Sequence, residues 1–204
     1  MRSTEPLVLV VDDDASVREA LASLIGSAGL LVECFASPAE FLRRRKIDAP
    51  SCLVLDVRMP GMSGLDLQHR LAHAEHRIPI IFITAHGDIP MAVRAMKDGA
   101  VEFLPKPFRD EDLLNAIREA LDRDAAVIAR RAEVLGIRSR YTRLTPRQSQ
   151  ILGMIVEGRL NKQIAAQLGV SENTVKVHRH RIMEKMGASS VANLARMVER
   201  LERR

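Results

Sequence analysis

Leu7-Val8-Leu9-Val10-Val11-Asp12-Asp13-Asp14 is the stretch that decides the fold. Five apolar residues without polar alternation read as a strand buried on both faces, the pattern of a parallel sheet. Three carboxylates follow at its carboxyl end. Outward from there, Ser16 to Ala28 reads as an amphipathic helix ending at Gly29, and Leu31 to Phe35 as a second strand. A helix starts near Ser37-Pro38. Ser51 to Asp56 is the third strand, Gly64 to Ala72 the third helix and Ile78 to Thr84 the fourth strand. Pro90 to Lys97, closed by Gly99, is the fourth helix; Val101 to Leu104 is a short fifth strand, and Asp110 opens a fifth helix. Five strands alternating with five helices predict an α/β doubly wound domain with a five-stranded parallel sheet. Sites in such folds lie at the carboxyl ends of the strands.

The fifth helical pattern runs on through Leu121 towards Leu135, and Gly136 is expected to break it. These readings divide the chain into a first domain over 1–121, a helical extension and linker over 122–143 and a second domain over 144–204. The second domain reads as an all-α module of four helices. Thr145-Pro146-Arg147-Gln148 carries an N-cap, a proline at the first helical position and a capping-box partner. Asn161 to Leu168, the turn Gly169-Val170-Ser171 and a helix to Met186 form a helix-turn-helix pattern; a last helix starts at Ser189 or Ser190 and reaches Leu201.

Charge divides the same way. Of 31 Lys and Arg and 26 Asp and Glu, the residues from Tyr141 onward hold a net charge of +7 and the first 140 a net of −2. A polyanion is the partner this suggests for the second module alone, although a solvated basic surface has the same composition. No apolar run reaches the roughly 20 residues of a membrane span, and the N-terminus lacks a signal-peptide pattern. Cys34 and Cys52 have no metal-ligand or redox spacing, so both are expected to be reduced core residues of a cytoplasmic protein with no membrane partner.

Asp12, Asp13 and Asp14 after strand one, Asp56 ending strand three, Thr84 ending strand four and Lys106 just past strand five form one constellation. If strands one and three are neighbours, their carboxylates share a pocket. Clustered carboxylates repel without a cation, and hard oxygen ligands suit Mg²⁺. A metal and Lys106 would together neutralise an incoming phosphoryl group. Each residue alone has an ordinary explanation as a helix cap, a strand Thr or a surface Lys.

Val11-Asp12-Asp13-Asp14, Leu55-Asp56-Val57-Arg58-Met59-Pro60-Gly61, Ile83-Thr84-Ala85-His86 and Phe103-Leu104-Pro105-Lys106-Pro107-Phe108 resemble the receiver domains of two-component response regulators, which are flavodoxin-like in layout. The resemblance implies that Asp56 is the phosphoacceptor. It implies that Asp12, Asp13, Asp56 and the backbone carbonyl of Arg58 bind Mg²⁺, that Thr84 and Lys106 engage the phosphoryl group, and that Lys106-Pro107 is cis. It supplies a switch in which Thr84 moves, Phe103 turns inward and the face from Ile89 to Leu104 is reshaped. Arg58 and His86 border the path of attacking water and are candidates for setting phosphate lifetime.

On a helical wheel Val175, His178, Ile182 and Met186 face inward. Asn173, Lys176, Val177, His180, Arg181 and Glu184 face outward, with Arg179 at the margin. Lys176, His180 and Arg181 can donate to bases or phosphates, and Val177 suits a thymine methyl. A helix bundle with a solvated face presents the same periodicity. Leu144-Thr145-Pro146-Arg147, Asn161-Lys162-Gln163-Ile164-Ala165 and Val170-Ser171-Glu172-Asn173-Thr174-Val175-Lys176-Val177-His178 resemble the LuxR/NarL-type output domain, and the whole chain is similar to FixJ-like (StyR-like) response regulators. This implies DNA contacts from Lys162, Thr174, Lys176, Val177, Arg179 and His180, and a dimerising fourth helix from Ser190 to Leu201. Gln148 departs from the usual Glu but still closes the capping box. Leu160 departs from the usual small polar residue, which puts a capping or phosphate contact there in doubt.

The resulting expectation is a transcription regulator, not an enzyme. A sensor histidine kinase or small phosphodonor modifies Asp56, a homodimer forms when it is phosphorylated, and double-stranded promoter DNA is bound to direct RNA polymerase, with activation the expected outcome. Three rivals stand beside it. An aspartyl-phosphate phosphatase would need a second acid where Arg58 stands. A flavin-binding module would need a phosphate loop where three Asp stand. A phosphorylation-independent DNA binder would carry the receiver residues without using them.

Overall fold

The computed structural model describes residues 5–44, 49–73, 78–85 and 88–202. These divide into two compact units, one to Ile128 and one from Ala129.

The first unit is a five-stranded parallel sheet in the order β2-β1-β3-β4-β5. Its strands are β1 (Leu7–Val11), β2 (Leu31–Phe35), β3 (Ser51–Asp56), β4 (Ile80–Thr84) and β5 (Glu102–Pro105). Between them lie α1 (Ala15–Ser27), α2 (Pro38–Leu42), α3 (Gly64–Leu71) and α4 (Ile89–Lys97), and α5 (Asp110–Tyr141) follows. Side chains alternate across each strand. Val8, Val10, Cys52, Val54, Ile81 and Ile83 therefore face one way, against Leu21 and Ile25 of α1 and Leu113 and Ile117 of α5. Leu9, Val11, Leu53, Leu55 and Phe82 face the other way, against Phe41 of α2, Leu67 of α3 and Ala95 of α4. Each large aliphatic or aromatic side chain buried in this way contributes about 1.5–3 kcal/mol. Both cysteines are free thiols, and burial pushes the Cys52 thiol up to about 12, where it is inert.

Strand β4 starts at Ile80 and not at Ile78, because Pro79 has no N–H to give the ladder. The α4 helix starts one residue earlier than its Pro90, at Ile89, capped by Asp88, which accepts from the Met91 amide at 2.8 Å. The Lys106-Pro107 bond is cis, as the resemblance implied.

The fifth helix departs most from expectation. It runs unbroken through Gly136 to Tyr141. A helical glycine costs about 1 kcal/mol, and the neighbouring Ile137, buried in the core of the second unit, outweighs that. The helical extension expected towards Leu135 is present, and residues 136–141, expected as linker, are helical as well. Asp124 is buried, with its carboxylate accepting from the Ser51 amide at the start of β3 (2.9 Å). No helix among the described residues is long and apolar enough to cross a membrane.

The second unit joins the end of α5 to α6 (Pro146–Val156), α7 (Asn161–Leu168), α8 (Glu172–Met186) and α9 (Val191–Glu202). Its core gathers Ile137, Ile151, Ile155, Ile164, Val175, Ile182, Met186 and Leu194. The turn between α7 and α8 passes through Gly169 at φ +64°, a conformation that glycine adopts without penalty.

Candidate functional site

The acidic pocket follows from strand register. Val11 of β1 pairs with Leu55 of β3, so the next residues, Asp12 and Asp56, emerge side by side. Thr84 of β4 pairs with Pro105 of β5, and Lys106 follows. The Lys106 ammonium donates to Asp12 Oδ2 at 2.8 Å and to Asp56 Oδ1 at 3.1 Å. The other Asp56 oxygen accepts from the Arg58 amide at 2.8 Å, and Asp12 Oδ1 accepts from the Asp14 amide at 2.9 Å. Asp12 is 1% exposed, Asp56 7% and Thr84 1%.

The three consecutive acids divide their work. Asp12 turns into the pocket and Asp13 is exposed. Asp14 is the N-cap of α1, accepting from the Ser16 amide and hydroxyl at 2.8 and 2.6 Å, and these bonds hold its carboxyl below the usual range. The start of α3 approaches the end of β3 closely: a Cβ on Gly64 would lie 2.3 Å from the Asp56 carbonyl oxygen, so no other residue fits there. The Phe103 ring is half-buried and packs 6.2 Å from that of Phe82, the centroid distance of an aromatic pair. Arg58 is exposed, and His86 lies outside the described residues. On α4, Ile89, Val93 and Met96 are exposed large apolar residues, Ile89 at 81%.

Burial raises the Asp56 carboxyl above its ordinary range, against the pull of Lys106 in the other direction. Burial also opposes the Lys106 charge, but Asp12 and Asp56 together outweigh it and hold the ammonium above its ordinary value. The folded protein thus holds the Asp56 proton more tightly than the unfolded chain does. That contribution to stability is present at low pH and lost as pH rises through the folded-state value. At neutral pH the buried carboxylate is a net cost. Asp56→Asn in metal-free buffer is therefore expected to melt higher than the wild type at pH 7, with the gap narrowing as pH falls into the carboxylate range. Scanning calorimetry across that range checks it; an unchanged or lower midpoint at pH 7 contradicts it.

Among the described residues no three His, Cys, Asp or Glu side chains gather as a ready-made metal cage. The donors present still suit one ion. Mg²⁺ is held by one or two carboxylates while keeping waters, and binds alongside phosphate oxygens. The buried pair Asp12 and Asp56 is such a set of hard oxygen donors.

In the second unit the wheel is reproduced. Val175, Ile182 and Met186 are fully buried and His178 is half-buried. Asn173, Thr174, Lys176, Val177, His180, Arg181 and Glu184 are exposed, and Arg179 is intermediate. Lys162 of α7 and Arg179 of α8 line one cleft with Arg159 and Glu172. The Thr174 hydroxyl lies 2.9 Å from that of Ser171, the α8 cap, and its amide donates to the same oxygen. Leu160 supplies no side-chain cap to α7 and is 69% exposed; only the reciprocal bond exists, from its own amide to Gln163 Oε1 at 2.8 Å. Gln148 closes its capping box with Thr145 and also accepts from Lys185 Nζ at 2.8 Å. That second bond, and the one from Arg140 to the Met186 carbonyl, gave no signal in the sequence, because their partners lie far apart along the chain.

A strand-end acid pair bridged by Lys, followed by a basic helix-turn-helix, defines a phosphoryl-receiving regulator joined to a DNA-binding module. Residues 8–118 match the response regulator receiver domain family, and residues 142–198 match the luxR family of bacterial regulatory proteins. The chain belongs to the two-component response regulators, with a receiver and a LuxR-type DNA-binding domain of the FixJ/TodT type. It is 51% identical over 202 residues to the response regulator protein TmoT of Ectopseudomonas mendocina, covering 99% of this chain and 92% of that one. It is 43% identical over 190 residues to the transcriptional regulatory protein FixJ of Azorhizobium caulinodans, covering 93% and 90%. The solved structure of the response regulator StyR is similar with a TM-score of 0.87 at 52% identity, over 96% of this chain and 98% of that one. These relatives are DNA-binding transcription regulators and not enzymes. Receivers generally bind Mg²⁺ at their acidic pocket, and the two domains imply a sensor kinase and DNA as partners.

Proposed function

We propose that Asp56 accepts a phosphoryl group from a sensor histidine kinase, and that the phosphorylated chain forms a homodimer that binds promoter DNA through α8. The observation that carries this reading is Lys106 bridging Asp12 and Asp56, a cation already placed beside a buried carboxylate. Asp56 oxygen attacks phosphorus; the donor P–N bond breaks with its electron pair left on the imidazole nitrogen, and an acyl phosphate forms. Lys106 stays paired with the new charge, and Thr84, at the adjoining strand end, donates its hydroxyl to a phosphoryl oxygen. Asp12, Asp13, Asp56 and the Arg58 carbonyl would hold Mg²⁺, which would neutralise charge in the pocket when bound.

The response is read on the α4–β5 face. Ile89, Val93 and Met96 follow helical spacing and leave an apolar stripe uncovered. Movement of Thr84 with inward turning of Phe103 reshapes that face, and pairing of two copies covers it. Two output modules then engage two half-sites, which raises affinity through effective concentration. Lys162, Thr174, Lys176, Val177, Arg179, His180 and Arg181 contact the duplex, and the bound dimer recruits RNA polymerase in the cytoplasm. The receiver over 1–121 and the output domain over 144–204, with the end of α5 packed into the output domain's core, are the working units.

Sedimentation velocity tests this on the full chain and on Asp56→Asn, each with and without Mg²⁺ and beryllofluoride. The wild type alone is expected to move from monomer to dimer. If neither protein responds, the receiver either signals without association or is vestigial, the dimer mechanism fails, and DNA binding is then to be tested as constitutive.

A further inference from the structure

Helix α8 ends at Met186, and Gly187 turns the chain at φ +65°. The last carbonyls of a helix have no partners within it. Here Gly187 and Ala188 amides return to Glu184 and Met183, while the Met186 carbonyl accepts from Arg140 Nη1 at 3.0 Å. Arg140 lies 46 residues earlier, in the last turn of α5. It is half-buried, and its Nε donates to the Gly136 carbonyl at 3.2 Å, which fixes the direction of the side chain. One turn before it, Ile137 is 1% exposed in the core shared with α8. A cation at this end also opposes the negative pole of the α8 dipole. A Cβ at residue 187 would meet Arg140 Nη1 at 2.9 Å, so glycine both makes the turn and admits the guanidinium. Lys185 completes the arrangement from the other side, donating to the Arg143 carbonyl at 3.1 Å and to Gln148 Oε1 at 2.8 Å.

We propose that Arg140 is a positioning residue for DNA recognition: the end of α5 fixes the tilt and rotation of α8, and with them the placement of Lys176, Val177, His180 and Arg181 against base edges. Arg140 stands outside residues 142–198, the span matched by the luxR family, so the reading unit begins before that module. The proposal rests on the reading that α8 contacts bases. Base contacts need fixed geometry, whereas phosphate contacts from flexible cations tolerate small tilts. Losing Arg140 therefore weakens binding to the chosen sequence more than binding to DNA in general.

The test uses the full chain with beryllofluoride and two duplexes, one enriched by the wild type from a random pool and one of scrambled sequence, each titrated across salt. Arg140→Ala is expected to lose about tenfold on the enriched duplex, the worth of one charged hydrogen bond. Affinity for the scrambled duplex and the salt slopes stay unchanged. Arg140→Lys, which keeps the charge and one donor, regains part of the loss. Equal losses on both duplexes with a lower melting midpoint make Arg140 merely structural and overturn the proposal, as does an unchanged preference. Lys176→Ala run in parallel separates the two readings. If it too leaves the enriched duplex unaffected, the α8 interface itself is wrong; if it weakens binding while Arg140→Ala does not, only the positioning role fails.

Discussion

Asp56→Asn protein is expected to take up no phosphoryl group from acetyl phosphate and Mg²⁺, under conditions where the wild type gains one that hydroxylamine removes. Intact-mass spectrometry reads both outcomes directly. The size of the effect follows from how the neighbouring acids are employed. Asp14 is committed to capping α1 through Ser16, and its lowered pKa reflects those bonds. Asp12 is bound by Lys106 and by the Asp14 amide, and it is almost wholly shielded from an incoming donor. Asp13 is exposed and without the burial that surrounds Asp56. Asp56 alone combines a cation beside it, a backbone amide on its second oxygen and enough opening for attack. Asparagine preserves the shape and the acceptor for Arg58 but removes the nucleophilic oxygen anion. Full phosphorylation of the variant would place the phosphoacceptor on another acid and overturn the assignment.

How far the chain could be read in advance varied with the distance over which each feature acts. The α/β class was legible because Leu7–Val11 and residues 52–55 and 80–83 are short apolar runs alternating with amphipathic helical stretches, the pattern of a parallel sheet covered on both faces. The Thr145 cap and the helix start at Ser37-Pro38 were legible too, because each acts within four residues of itself, whereas the caps at Asp14 and Ser63 emerged only in the structure. The meeting of Asp12, Asp56 and Lys106 was only conditionally legible. Local pattern does not say that β1 lies beside β3, and the resemblance supplied that order. Gly136 misled because propensity is a weak term beside burial, and Ile137 decided the matter. Asp124 with Ser51, and Arg140 with Met186, are pairs 73 and 46 residues apart. Neither side of such a pair carries a mark until the fold brings the two together.

The second large effect belongs to α8. Lys176→Ala combined with Arg181→Ala is expected to lower affinity for a wild-type-enriched duplex by roughly 100-fold, taking about 1–3 kcal/mol for each base-edge interaction removed. Both side chains are exposed, so the loss comes from the interface and not from the core. Ile182, on the opposite side of the same helix, is fully buried, and its truncation would instead unfold the module at a cost of about 2–5 kcal/mol. The distinction can be measured. The double variant should keep the wild-type melting curve and lose binding, with a shallower salt slope only to the extent that either cation touches phosphate. Glu184 sits on the same exposed face nearer the C-terminal end, where a carboxylate would repel the backbone, so productive contacts belong to the first two turns and a half. Glu184→Gln therefore serves as the counter-test, expected to bind DNA as well as the wild type or slightly better. If that variant loses affinity as the double variant does, the duplex lies along a different edge of the helix.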